Sequence, residues 1–157
     1  MELIGKTSIH PVVFYSGKIS GYTTWVLLLL SWLNVFSVAG HSALFLKYGS
    51  CGLFLIGLLF TVMSLINLGK STTLGLPSKD TVFKTSGIYR FSRNPMYIGF
   101  NCFTLASMLY TLNIAVILLG VYSIVIYHLI ILGEEAFLEQ RFHQAYTDYK
   151  RLVKRYL

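Results

Sequence analysis

The sequence predicts an all-α membrane protein of about four transmembrane helices followed by a C-terminal amphipathic helix at the interface. Composition is the first reason: 55% of the 157 residues are hydrophobic and only 12% are charged, against roughly a quarter charged in soluble domains. The mean hydropathy of +0.64 agrees. The second reason is that the apolar residues come in blocks. Residues 24–45, 52–68, 96–112 and 114–132 contain no Lys, Arg, Asp or Glu, and each is close to the ~17–25 residues that a helix needs to cross hydrocarbon. The third is the uneven placement of positive charge. Four spans consume most of the chain, so residues 1–157 form a single membrane domain and any active site is built from the spans and their edges.

The elements follow in order. Residues 1–21, with Lys6, Pro11 and Lys18, lack the short apolar core and small-residue cleavage site of a signal peptide and read as an amphipathic lead-in. Residues 22–68 read as a first helical hairpin, two spans joined by a short turn at 47–50. A long loop, 69–94, follows, punctuated by Gly75, Pro77 and Gly87; connections of this length are uncommon unless functional or disordered. Residues 95–132 form a second hairpin with its turn at 111–113. Pro95 suits the first turn of a helix, where its missing N–H costs nothing, and Asn94 before it is a natural N-cap. The free N–H groups of that helix start are suited to an anionic group such as a carboxylate. In 133–157, Phe137, Leu138, Phe142, Tyr146, Tyr149 and Leu152 or Val153 recur at helical intervals with charges between them, the pattern of an interfacial amphipathic helix. Cys51 and Cys102 have no spacing that points to a disulfide framework or a metal site.

The net charge is +7, yet its distribution argues against nucleic acid. Lys70, Lys79, Lys84, Arg90 and Arg93 lie in the 69–94 loop, Arg141, Lys150, Arg151, Lys154 and Arg155 in the last segment, Lys6 and Lys18 before the first block and Lys47 alone in the first turn; the 111–113 turn has none. The positive-inside rule then puts both termini and the 69–94 loop on the cytoplasmic side, with membrane lipid as the partner of the basic residues.

On that face two distant stretches converge, "GIYRFSRNPMY" at 87–97 and "GEEAF" at 133–137. One brings cations, aromatics and free backbone donors, the other adjacent carboxylates. "TSGIYRFSRNPMYIGF", followed by "GEEAFLEQRFHQAYTDYKRLVKR", resembles the superfamily of isoprenylcysteine carboxyl methyltransferases and phospholipid methyltransferases. Their signature is approximately G-x-Y-x-x-x-R-H-P-x-Y-x-G, then a double Glu, then F-x-x-x-Y-x-x-Y-x-x-x-V-x-R.

The resemblance implies S-adenosylmethionine as cofactor and a lipid-like methyl acceptor that enters from the bilayer. It implies that Thr81, Val82, Phe83, Lys84, Gly87, Tyr89, Arg93, Asn94, Pro95, Met96, Tyr97, Glu134 and Glu135 line the cofactor. Glu134 or Glu135 then suits its ammonium or ribose hydroxyls, and Arg93 with the helix start suits its carboxylate. Asn94 stands where the carboxyl methyltransferases have His, as in phosphatidylethanolamine methyltransferases. Ile130 stands where they have an Arg for the substrate carboxylate. A carboxylate acceptor would lack its cation there, so the acceptor leans to an amine-bearing phospholipid, with Glu135 or His128 as proton acceptor. A prenylcysteine carboxylate, an NADPH-dependent sterol-type reductase and a non-catalytic scaffold are the other readings. Taken singly, Arg90 and Arg93 also fit plain positive-inside residues, Tyr89 and Tyr97 interfacial aromatics, and His128 a neutral residue bonded within the bundle.

Overall fold

The computed structural model describes residues 7–35, 43–69 and 83–157. Their helices are α1 (Pro11–Trp32), α2 (Leu44–Leu68), α3 (Pro95–Thr111) and α4 (Ile114–Leu152), with a short 3-10 turn at Gly87–Arg90. Two of these, α2 and α4, are long and apolar enough to cross a membrane. At 1.5 Å per residue the stretch of α4 from Ile114 to the break at His143 amounts to roughly 44 Å, beyond the ~30 Å of hydrocarbon. The charged end of the helix therefore projects out of its apolar part, 114–132.

α1 begins at Pro11 with the proline in its first turn, so residues 11–21, expected as part of a lead-in, are the first half of this helix. Its buried residues Phe14, Gly17, Gly21, Thr24, Leu28 and Ser31 recur every three or four positions. This is the stripe by which a helix packs, and it starts well before the uncharged block at residue 24. Charge-free sequence marks hydrocarbon, whereas the stripe marks packing, and in α1 the two are offset.

The expected pairing of the first two spans gives way to a different one. α2 packs mainly against α3, and α1 against α4, with further contacts of α3 to α1 and α4. Small residues at the crossings explain the choice. A Cβ on Gly57 of α2 would lie 2.9 Å from the carbonyl oxygen of Gly99 on α3, and one on Gly99 would lie 2.8 Å from that of Gly57. Backbones this close bring hydroxyls within reach of the opposite helix. Ser50 Oγ donates to the Ala106 carbonyl at 2.8 Å, and Ser20 Oγ of α1 to the Leu119 carbonyl of α4 at 2.8 Å. The outer face of α2, with Leu55, Leu59, Val62 and Ile66 exposed, is apolar.

α3 starts at Pro95 as expected and ends at Leu112 in the left-handed region (φ 43°), after which Asn113 caps α4 by accepting from the Ala115 N–H at 2.9 Å. A new helix does not begin at residue 133: α4 runs on through both glutamates to His143, whose φ of 45° and ψ of −120° break it. The chain then turns back, so that Tyr146 and Tyr149 are buried around Phe83, at centroid distances of 5.7 and 5.3 Å.

Candidate functional site

Glu134 and Glu135 are consecutive on a helix, so their side chains leave it about 100° apart and meet different partners. Glu135 is 5% exposed and faces the segment ahead of α3. Arg93 grips it with Nε on Oε1 and Nη2 on Oε2, both at 3.1 Å. Asn94 Nδ2 donates to Oε1 at 2.9 Å, and Arg155 adds Nε at 3.1 Å and Nη2 at 3.0 Å on Oε2. These donors use the accepting capacity of one carboxylate.

The same residues bind the chain around 150–155 to the segment ahead of α3. The Arg93 N–H donates to the Lys154 carbonyl at 3.0 Å, and Arg93 Nη1 to the carbonyls of Lys150 and Val153 at 3.2 and 3.3 Å. Ser92 Oγ and Asn94 Nδ2 each donate to the Arg155 carbonyl at 3.2 Å. Residues 150–155 thus form a strap locked by one buried charge cluster. Its hydrogen bonds to Glu135 hold the Arg155 guanidinium above its ordinary pKa, against the opposing effect of its own desolvation. Beyond the cluster, the Tyr156 hydroxyl pairs with His128 Nδ1 at 2.7 Å.

Glu134 points elsewhere. Its Oε1 accepts one hydrogen bond, from the Tyr97 hydroxyl at 2.8 Å. Tyr97 in turn packs with Phe100 and against the core of Phe14, Ile126, Tyr127 and Ile130. Ile130, where a carboxylate-binding Arg was the alternative, is fully buried in this core. An oxygen-rich carboxylate against an aromatic wall, with one phenol for company, retains the capacity to accept donors from a cationic ligand.

The structure thus divides the residues that the sequence pointed to. Arg93, Asn94 and Glu135 come together, but as the clamp on the strap. Asn94 stands at the N-cap position of α3 without a side-chain cap, because its amide is engaged with Glu135 and Arg155. Glu135, saturated by N–H donors, is not placed to accept a proton, and His128 faces the strap through Tyr156. Pro95 is buried and Met96 partly so. The N–H groups of Met96 and Tyr97 belong to the first turn of α3, which has no carbonyl partners within the helix.

Phe83 stacks on Phe142 at 5.0 Å, and Lys84 is partly buried beside it in the chain; Thr81 and Val82 lie outside the described residues. Tyr89 is buried with its carbonyl accepting from the Tyr149 hydroxyl at 2.6 Å. Burial, reinforced by Tyr149 and Glu134, keeps its phenol well above the ordinary pKa, against a hydrogen bond with Ser64.

Gly87 allows this packing: its φ is +65°, and a Cβ would run into the Asn67 side chain. Gly87→Ala is expected to cost about 1–3 kcal/mol, read as a lower melting temperature. Adding Asn67→Ala should recover only the steric part. A melting temperature equal to wild type would mean that the turn is free to move.

Sequence reasoning missed the role of Arg155. It was visible in the pattern F-x-x-x-Y-x-x-Y-x-x-x-V-x-R, which here reads Phe142, Tyr146, Tyr149, Val153 and Arg155. Three of these, Tyr149, Val153 and Arg155, make the hydrogen bonds that hold the strap.

Comparison with known proteins bears on the fold and the family. The solved structure of a eukaryotic intramembrane Ras methyltransferase, isoprenylcysteine carboxyl methyltransferase, superposes with a TM-score of 0.66 at 20% identity, over 92% of this chain and 52% of that one. The fold is shared, and this chain spans about half the length of that protein. Among curated proteins none matches the chain by sequence. A family model described as phospholipid methyltransferase matches residues 45–145, the stretch that holds α3, nearly all of α2, Arg93, Asn94 and both glutamates, and the chain therefore belongs to the phospholipid methyltransferase family of membrane methyltransferases.

Proposed function

We propose that the chain transfers a methyl group from S-adenosylmethionine to a lipid-embedded acceptor bearing an amine, an amine phospholipid being the class that fits best. The observation that carries the reading is the divergence of the two glutamates. Glu135 is consumed by Arg93, Asn94 and Arg155, whereas among the described residues Glu134 accepts a hydrogen bond only from the Tyr97 hydroxyl and keeps capacity for a cationic ligand.

The residues fit the cofactor in three respects. Glu134 can accept from its ammonium or ribose hydroxyls. The unpaired N–H groups at the start of α3 can take its carboxylate, a role from which Arg93 is withdrawn by its bonds to Glu135 and the strap. Phe83, Gly87 and the neighbouring 81–84 segment would line the remainder. When bound, S-adenosylmethionine supplies an activated methyl: a C–N bond forms to the acceptor as the C–S bond breaks, and the electron pair stays on sulfur. Such a displacement needs little covalent help, so the chain contributes position and dryness. The strap, locked to the segment ahead of α3, closes one side, and Tyr97, Phe100 and Tyr127 form the apolar wall. An acceptor that arrives as an ammonium loses a proton before it attacks, and Glu134 Oε2, which faces no protein donor among the described residues, is the place to hold it.

In this reading α1 and α3 also cross the membrane, giving four spans, with both termini and the 69–94 loop cytoplasmic. The bare 111–113 turn, without a basic residue, supports that orientation. A carboxylate acceptor is the second reading, favoured by the likeness in fold to the carboxyl methyltransferase. The test is to titrate detergent-purified protein with S-adenosylmethionine and with NADPH, then to incubate it with methyl-labelled cofactor and a lipid extract and follow the label by mass spectrometry. Saturable binding of S-adenosylmethionine and label on amine headgroups are expected. Binding of NADPH alone would favour a reductase, and binding of neither would defeat both enzyme readings.

A further inference from the structure

Lys18 is the one basic residue of α1. The helix buries its neighbours Phe14 and Gly17 against the bundle and leaves Ile19 and Tyr22 exposed toward lipid, with Lys18 itself half-buried between the two faces. A lysine within an apolar helix is costly unless it snorkels or finds a partner. Its Nζ lies 4.2 Å from the centroid of the Phe14 ring, and Phe14 belongs to the core against which Tyr97, the partner of Glu134, is packed. Lys18 and Glu134 feel each other's charge, yet among the described residues no ion pair within 4.0 Å joins Lys18 to any carboxylate. One helical turn further along α1, the hydroxyls of Ser123 and Tyr127 come together against Gly21. They face each other there, but neither has a hydrogen bond of good geometry. The cation thus stands on α1 one turn from the place where α4 sets two buried hydroxyls against that helix.

We propose that Lys18 is the anion-binding residue of the acceptor site, recognising the negatively charged group, phosphodiester or carboxylate, that an amphiphilic acceptor carries beside its methyl-accepting atom. It supplies from α1 the cation that α4 lacks at Ile130. An acceptor with opposite charges a few bonds apart would then lie with its anion at Lys18 and its amine toward Glu134. A cofactor carboxylate is the poorer occupant, because the N–H groups at the start of α3 already suit it. The proposal rests on the methyltransferase reading for the reaction, though not for the binding of the anion.

The experiment compares wild type with Lys18→Met, which removes the charge at similar length, and Lys18→Arg, which keeps it. Three acceptors are offered with labelled S-adenosylmethionine: phosphatidylethanolamine, a prenylcysteine carboxylate analogue, and a long-chain alkylamine with no anionic group. Independently of turnover, native mass spectrometry measures retention of phosphatidylethanolamine against neutral diacylglycerol. For the anionic acceptor that turns over, Lys18→Met should raise KM by about ten- to a hundredfold, the range of a lost charged hydrogen bond. Lys18→Arg should recover most of this, and alkylamine turnover and S-adenosylmethionine affinity should not change. The preferred substrate among the first two separates phosphodiester from carboxylate. Lys18→Met should also abolish the preference for phosphatidylethanolamine over diacylglycerol. Equal losses on all three acceptors, a weakened cofactor affinity, or an unchanged retention preference would each overturn the proposal. Charge-dependent retention with no methyl transfer to any acceptor would instead uphold the anion site and defeat the reaction.

Discussion

Glu135→Ala is expected to release the strap at 150–155 and destabilise the protein by about 3–5 kcal/mol, the cost of leaving buried charges without their partner. The Arg93 side chain is only 7% exposed and that of Glu135 6%, so water cannot replace the lost carboxylate. Removing it also orphans one donor of Asn94 and both Arg155 contacts. Arg93→Ala should cost about as much, since it strips Glu135 of two charged donors and the strap of its bonds to Lys150 and Val153. Arg155→Ala should cost less, because that side chain is 33% exposed and solvent screens what remains. Thermal unfolding in detergent and limited proteolysis after residue 143 read the two effects together. A Glu135→Ala protein that melts like wild type, with its last residues still protected, would refute the clamp.

The neighbouring substitution should behave in the opposite way. Glu134→Gln leaves the amide oxygen to accept from Tyr97, so folding and melting temperature are expected to stay near wild type. What is lost is the negative charge offered to a cationic ligand, and S-adenosylmethionine affinity should fall by about ten- to a hundredfold, as for a charged hydrogen bond. Calorimetric titration of the folded variant measures this directly. Undiminished affinity would remove Glu134 from the pocket, and a large fall in melting temperature would make it part of the scaffold. Together the two variants separate adjacent residues of identical chemistry, one structural and one available for binding.

Much of the architecture was legible because it is written in local chemistry. Pro95 has no N–H to lose and marks the start of α3. Runs without charge mark the apolar helices, and the signature from Gly87 to Tyr97 with the double Glu led to the right family. The errors arose where one residue type serves two purposes. Asn94 is a good N-cap by composition, but its amide satisfies a buried carboxylate instead. The change to charged sequence after residue 132 suggested the end of a span, yet Gly133 allows Ser8 to approach, with the Ser8 carbonyl oxygen 2.6 Å from where a Cβ would stand, and the helix continues. α1 was placed too late because Lys18 interrupts the charge-free run while its packing stripe does not.

Composition and motif alone therefore decided that this is a helical membrane protein of the methyltransferase kind, since hydrophobic blocks and residue order are properties of the chain itself. Only the packing decided which glutamate the clamp holds, why Arg93 is engaged with it, and that a lysine from the first helix reaches the aromatic core through Phe14. Those outcomes depend on which faces of α1, α3 and α4 meet, and side chains one residue apart on a helix point about 100° apart, so neighbours in sequence enter different environments.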